Sequence, residues 1–286
     1  MGNTGLVARV DAVLDGFARR NRVRVLMAVD AGSRAWGFPS PDSDHDVRFV
    51  FVRPVSDLLS VDPPKDTLET TREGLDFVGW DLRKALRLAL DGKPAPLEWA
   101  RSSVVHRSDD GFRERFADVL DRIADKDAVL ASYVAQARKF AAQLAKDKDV
   151  PLKRTLHPVR HLAAAEWMTA DPGAGLPPMV LTDLLPHVPW PDRTVAEIER
   201  LVAMKRAGSL GTALPSRGLV SFLSDRAEAL DRTDRPARSA GRVPSPEAIA
   251  AADAFLLAEL AAETMVGRVL PTPPTVLGGD ADALER

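Results

Sequence analysis

The chain reads as an α+β protein: a lobe built on a short mixed sheet over residues 1 to about 125, carrying a helical second lobe to about 270. Three observations point there. Strand-like hydrophobic runs crowd into the N-terminal part, at Arg22–Val29, from Asp46 onward and at Gly74–Trp80. Beyond Trp99 the apolar residues recur at helical spacing instead. With 286 residues, 45% hydrophobic and 28% charged, the chain can bury a substantial core and most naturally forms two domains.

The elements follow in order. Leu6, Val7, Val10, Val13, Leu14 and Phe17 lie on a helical period with charged residues between them, so the segment to Asn21 is an amphipathic helix. Arg22–Val29 is a strand, and Gly32-Ser33 lets the backbone turn tightly after it. Ser40-Pro41-Asp42-Ser43 is a turn that delivers the chain to the next strand. Asp81 stands before Leu82–Leu90, whose apolar residues recur at helical spacing, and reads as that helix's N-cap. Helices are expected over Asp110–Ile123, Ala128–Leu144 and Pro151–Trp167, the last with Pro158 as a possible kink. Two more span Thr194–Ala207 and Pro246–Val266, with Ser245 capping the second and Pro246 at its first position. Arg235–Pro244 reads as a connector and 271–286, rich in Pro, Gly and acids, as a poorly ordered tail.

The net charge of −2 excludes a uniformly basic nucleic-acid coat protein. Without cysteine there is neither a disulfide framework nor a thiolate metal site. No run approaches the ~20 apolar residues of a membrane span, and the N-terminus lacks a signal peptide's apolar stretch, so a cytoplasmic location without a membrane partner is expected.

The chemistry concentrates in Asp30-Ala31-Gly32-Ser33-Arg34-Ala35-Trp36-Gly37, followed by Asp44-His45-Asp46. On a strand, positions i and i+2 share a face, so Asp44 and Asp46 project together and His45 points away. Two carboxylates so placed repel unless a cation lies between them. Hard oxygen donors suit Mg²⁺ or Mn²⁺, which complete their coordination with water and substrate phosphates, and this implies a triphosphate substrate. The Gly32-Ser33 turn presents N–H groups to an anion, with the Ser33 hydroxyl as a further donor and Arg34 on the same turn. A two-metal displacement needs a third carboxylate. Asp76, a lone charge between Leu75 and Phe77, is the candidate, on the expectation that a charge buried there needs a partner or a metal.

These residues carry a resemblance. Hydrophobic-Gly-Ser, about ten residues, Asp-x-Asp, then a later hydrophobic-Asp-hydrophobic resembles the DNA polymerase β-like nucleotidyltransferase superfamily. Gly32 to Phe38, Ser40 to Phe49, Gly79 to Leu86 and Leu97-Glu98-Trp99 are similar to the bacterial and phage RNA-repair-pathway nucleotidyltransferase family, and Pro151 to Trp167 more loosely so. The resemblance implies that Gly32 and Ser33 hold the nucleotide phosphates. It also implies that Asp44, Asp46 and Asp76 are the catalytic, metal-binding acids through which a hydroxyl attacks the α-phosphate and releases pyrophosphate. The expected acceptor is an RNA 3′ end, with ATP, CTP, GTP and UTP all open as donor. Relatives tend to carry Glu-Ser where this chain has Asp30-Ala31, which implies a tuned site.

Arg138, Lys139, Lys146, Lys148, Lys153, Arg154 and Arg160 outnumber Asp147 and Asp149 between Ala131 and Ala165. A solvated helix face explains such a run in general. Beside an acidic site that takes a triphosphate, Lys153 and Arg160, with Arg138 behind them, become candidate nucleotide contacts. Trp36 is a candidate base contact, whereas Trp80, Trp99 and Trp167 read as core. His157 and His161 have zinc-compatible spacing but lack a third ligand. His45 reads as structural or as a contact on the opposite sheet face. Three alternatives stand beside the RNA reading: transfer to a small-molecule or protein hydroxyl, a non-catalytic binding module, and a sugar-nucleotide glycosyltransferase. The last would want a larger nucleotide domain before the Asp-x-Asp pair.

Overall fold

The computed structural model describes residues 3–72, 74–146, 152–170, 173, 175–208, 215–232 and 243–265. The expected tail 271–286 and nearly all of the connector 235–244 lie outside the described residues.

Five strands, β1 (Arg24–Asp30), β2 (His45–Val52), β3 (Thr67–Arg72), β4 (Leu75–Asp81) and β5 (Val105–Ser108), form one sheet in the order β3-β4-β2-β1-β5. β1 runs antiparallel to β2 and β5, and β3 antiparallel to β4. β2 and β4 are parallel, so the sheet is mixed, as expected. Two details differ from the sequence expectation. Arg22 has φ 52° and belongs to the turn before β1, and Asp44 stands one residue outside β2.

The period of two sorts the sheet into two apolar faces. Ala28, Val47, Phe49, Phe51, Leu75 and Phe77 pack with Val10, Leu14 and Phe17 of α1 (Asn3–Asn21). Fully buried, Phe49 and Phe51 each contribute about 1.5–3 kcal/mol of transfer free energy. Gly79 makes room for the Phe49 ring, which a Cβ at that position would strike. Arg107 on β5 anchors α1 by ion pairs to Asp11 (2.7 Å) and Asp15 (2.9 Å).

Met27, Val29, Val50 and Val52 face the other way, into the helices. These are α2 (Gly32–Ala35), α3 (Val55–Leu58), α4 (Leu82–Leu90), α5 (Pro94–Ala100), α6 (Phe112–Ile123), α7 (Lys126–Lys146), α8 (Leu152–Ala170), α9 (Leu181–Leu184), α10 (Asp192–Arg206), α11 (Arg217–Arg232) and α12 (Pro246–Met265), with a 3₁₀ turn at Leu185–His187. Asp81 caps α4 by accepting the Arg83 N–H at 2.9 Å, and Ser245 caps α12 by accepting the Ala248 N–H at 3.1 Å. α8 continues through Pro158.

The chain position near 125 falls between α6 and α7, and one apolar core crosses it from Val29 and Phe116 to Tyr133, Leu162 and Leu201. α12 returns to α6 and α4, where Glu259 pairs with Arg115 (2.8 Å) and its carbonyl accepts from Arg24 (3.1 Å). No helix among the described residues is long and apolar enough to cross a membrane.

Candidate active site

The turn from β1 into α2 is built around Gly32. Its φ is +61°, and a Cβ there would sit 2.5 Å from Asp46 Oδ2, so only glycine lets the backbone come this close to the carboxylate. The Ala31 N–H donates to the Asp46 carbonyl at 2.9 Å and locks the turn against the start of β2. Three hydroxyls gather beside it. Ser43 Oγ lies 3.3 Å from Ser33 Oγ and 2.9 Å from Ser40 Oγ, and accepts the Ser40 N–H at 2.8 Å. Two cations converge on the same loop. The Lys205 ammonium of α10 donates to Ser43 Oγ at 3.3 Å, and Arg34 donates to the carbonyls of Ser43 (2.7 Å) and Asp44 (3.3 Å). Lys205 is buried to 1% exposure, with Nζ 5.6 Å from the centre of the Phe38 ring. Three hydroxyls, two of them buried, and a buried ammonium gather around one glycine, a donor chemistry that suits an anion.

The carboxylates lie alongside. Asp46 and Asp76 are register partners on the parallel strands β2 and β4 and face the helical side of the sheet with Arg48. Arg48 bridges them, with Nη2 3.1 Å from Asp46 Oδ1 and Nη1 3.0 Å from Asp76 Oδ2. Asp76 is therefore no buried charge, contrary to the sequence expectation. Leu75 and Phe77 turn to the α1 face, and strand alternation leaves the Asp76 side chain 43% exposed between them. Asp44 is exposed at the mouth of the loop. The three acids do not converge on one point. Among the described residues, the set of three metal-competent side chains whose ligand atoms lie within 4.8 Å of one another is Asp30, His45 and His106.

That set belongs to the opposite face of the sheet, although Asp30 stands next to the Gly32 turn in sequence. Asp30 pairs in register with Val47 and shares its face with His45, where His45 Nδ1 (2.9 Å) and His106 Nε2 (3.2 Å) both reach Asp30 Oδ2. Burial opposes the charge on Asp30, but the hydrogen bonds from His106 and His45 outweigh it and hold the carboxyl below its ordinary value.

The expected basic contacts divide. Arg160 does not reach the site: it is fully buried and donates to the carbonyls of Met179 (3.0 Å) and Pro178 (3.1 Å), with Glu98 at 3.6 Å and Tyr133 beneath its guanidinium. It is a strut between α8, α5 and the segment before α9. Replacing it by Met keeps the stem volume but orphans these acceptors, and is expected to cost about 3 kcal/mol in urea unfolding. Triphosphate affinity should not change. Arg138 pairs with Asp231 (2.7 Å) and lines a groove of about 600 Å³ between α7 and α11, together with Lys139 and Lys146. The Lys153 side chain lies outside the described residues.

Trp36 is core, not a base platform. It is 8% exposed, with His157 (5.0 Å) and His161 (5.7 Å) edge-on to its ring. His161 Nδ1 is 2.7 Å from the His157 carbonyl, and burial pushes its pKa down to about 4. Between pH 4 and 6.5 the unfolded chain then binds a proton that the folded chain refuses, so stability rises with pH through that window. Urea unfolding should show roughly 3 kcal/mol lost from this group as pH falls from above 6.5 to 4, with a shallower slope in His161→Asn.

Sequence reasoning missed Lys205 and the bridging role of Arg48. Arg48 shares the face of Asp46 two residues earlier, a signal that was available; the burial of Lys205 follows only from how α10 packs.

Comparison with known proteins identifies relatives of the chain. The model of a family described as the RNA repair pathway DNA polymerase beta family matches residues 6–257. Over 187 residues the chain is 33% identical to uncharacterized protein YcgL of Bacillus subtilis (strain 168), a match covering 65% of this chain and 71% of that protein. Among solved structures it is similar to a nucleotidyltransferase-like protein from Exiguobacterium sibiricum 255-15, at 12% identity and a TM-score of 0.30, over 79% of this chain and 74% of that one.

Proposed function

The chain belongs to the RNA repair pathway DNA polymerase beta family, and from that premise we propose that it transfers a nucleoside monophosphate from an NTP to the 3′ hydroxyl of an RNA, releasing pyrophosphate. The observation that carries this reading is the approach of Gly32 to Asp46, which sets an anion cradle directly against a carboxylate. In this reading the N–H groups of the Gly32 turn and the Ser33 hydroxyl hold the β- and γ-phosphates, and Arg34 and Lys205 offset their charge. Asp46 and Asp76, the register pair, are the residues that would hold Mg²⁺ or Mn²⁺, with Asp44 moving in from the mouth of the loop to join them. Their all-oxygen donor set fits a hard cation, and the register of β2 and β4 sets Asp46 beside Asp76. When bound, the ion supplies charge stabilisation at the phosphoryl oxygens. Asp76, the more exposed of the register pair, takes the proton of the attacking hydroxyl at its carboxylate. Arg48 holds the pair together before substrate arrives. The groove of α7 with Arg138, Lys139 and Lys146 carries the RNA backbone, so RNA affinity should fall as salt rises.

The test is incubation of the intact chain with each α-labelled NTP, Mg²⁺ or Mn²⁺, and matched RNAs ending in a free or a blocked 3′ hydroxyl. Label on the free-ended RNA alone supports the reading. Label confined to small molecules or protein in a cell extract moves the acceptor there. One observation favours a second reading, a nucleotide-fold module that binds a partner without catalysis: Arg48 already neutralises both Asp46 and Asp76. On that reading partner binding survives Asp46→Asn and no NTP labels any acceptor.

A further inference from the structure

We propose that Asp30, His45 and His106 form a second metal site, one that selects a Zn²⁺-class transition metal, on the sheet face turned away from Asp46 and Asp76. Strand register brings the three together from β1, β2 and β5, the three adjacent strands at that edge of the sheet. Their ligand atoms lie within 4.8 Å of one another, with His45 Nδ1 2.9 Å and His106 Nε2 3.2 Å from Asp30 Oδ2. Metal bonds of about 2.0–2.1 Å in a tetrahedral shell place neighbouring ligand atoms roughly 3.3 Å apart; both rings already stand near that distance from Asp30 Oδ2, and a rotation that brings the two imidazole nitrogens toward each other completes the shell.

A second observation points to a ligand. Asp30 is fully buried, and while both imidazoles crowd its Oδ2, its Oδ1 has no hydrogen-bond partner. A buried carboxylate oxygen without a donor calls for a water or a cation. The donor set decides which cation. Two imidazoles and one carboxylate favour Zn²⁺ and its neighbours over Mg²⁺, which prefers oxygen alone. His106 is nearly buried, and the His45 side chain, 21% exposed, provides the way in for the ion and the open coordination position. Asp30 is also the last residue of β1, immediately before the Ala31-Gly32 turn, and its carbonyl accepts the Ser102 hydroxyl at 2.6 Å. A metal here ties the three strand ends together underneath the anion cradle, and its role is to hold that turn in place.

The experiment is titration of the intact chain, stripped with EDTA and dialysed, with ZnCl₂ or MgCl₂, read by calorimetry and thermal unfolding. The expected result is a single tight equivalent of Zn²⁺ that excess Mg²⁺ does not displace, and a Tm raised by about 5 °C at a hundredfold excess over Kd. His45→Asn, at the exposed ligand, should keep the fold by circular dichroism and weaken Zn²⁺ at least ~100-fold, as should His106→Gln, which retains a hydrogen-bond donor to Asp30. Asp46→Asn should leave Zn²⁺ binding unchanged, whatever it does to nucleotide chemistry. Absence of a tight equivalent in the wild-type chain, full affinity in folded His45→Asn, or loss of binding in Asp46→Asn would each overturn the proposal.

Discussion

Asp46→Asn is expected to lower nucleotidyl transfer by about 10³-fold while leaving the fold intact, and Asp76→Asn to do nearly the same. The two carboxylates are register partners on β2 and β4, so each stands beside the other without depending on it for its backbone position. Asp46 is 30% and Asp76 43% exposed at the side chain, which means that an amide in either place buries no unpaired group. Arg48 keeps the remaining acid as its partner. Stability should therefore stay within about 0.5 kcal/mol of the parent in urea unfolding. Equal transfer rates in parent and variants, measured on folded protein, would remove these acids from the chemistry.

The second large effect belongs to Gly32→Ala. A side chain at φ +61° costs about 1–2 kcal/mol of backbone strain, and here the new Cβ also meets Asp46 Oδ2 at 2.5 Å. The turn or the carboxylate has to move, and with it the N–H groups proposed to hold the phosphates. Affinity for a non-hydrolysable NTP should fall at least ~10-fold by calorimetry. Gly74 supplies the control. It has φ +75° at the β3–β4 hairpin, and a Cβ there meets nothing within 4 Å, so Gly74→Ala bears strain of the same kind without touching the site. Matching losses of affinity in both variants would mean that the effect is general destabilisation rather than a disrupted cradle.

What was legible in the sequence was whatever writes itself as period or as turn. α1, β1, β2, β4, the Asp81 cap and the helices α4, α6, α7, α8, α10 and α12 follow from hydrophobic spacing, and β1, β2 and β4 are the buried centre of the sheet. Its two edges were not legible. Thr67–Arg72 and Val105–Ser108 have no buried residue, and a strand that packs no apolar face leaves no alternating signal. α11 was also missed, although Leu219, Leu223, Ala227 and Leu230 recur at helical spacing.

The candidate site divides in the same way. Gly32 beside Asp46 could be inferred because both lie at strand ends joined by one short loop. Arg160 and Lys205 could not be placed, because a long side chain reads as a surface charge until its partners are known. One ends among carbonyls in the core and the other on a serine cluster 162 residues away. Asp30 stands next to the phosphate turn in sequence, but the alternation of β1 turns its carboxylate to the opposite face of the sheet.

Nucleotidyl transfer moves the α-phosphorus to the acceptor and releases the β- and γ-phosphorus together. The most direct measurement is therefore the fate of α-label and γ-label in parallel reactions of the intact chain with RNA and Mg²⁺. Transfer of α-label to RNA, matched by γ-label released as pyrophosphate and abolished in Asp46→Asn, is the result expected here. Transfer of γ-label to the acceptor, its release as orthophosphate, or no movement of either label would contradict it.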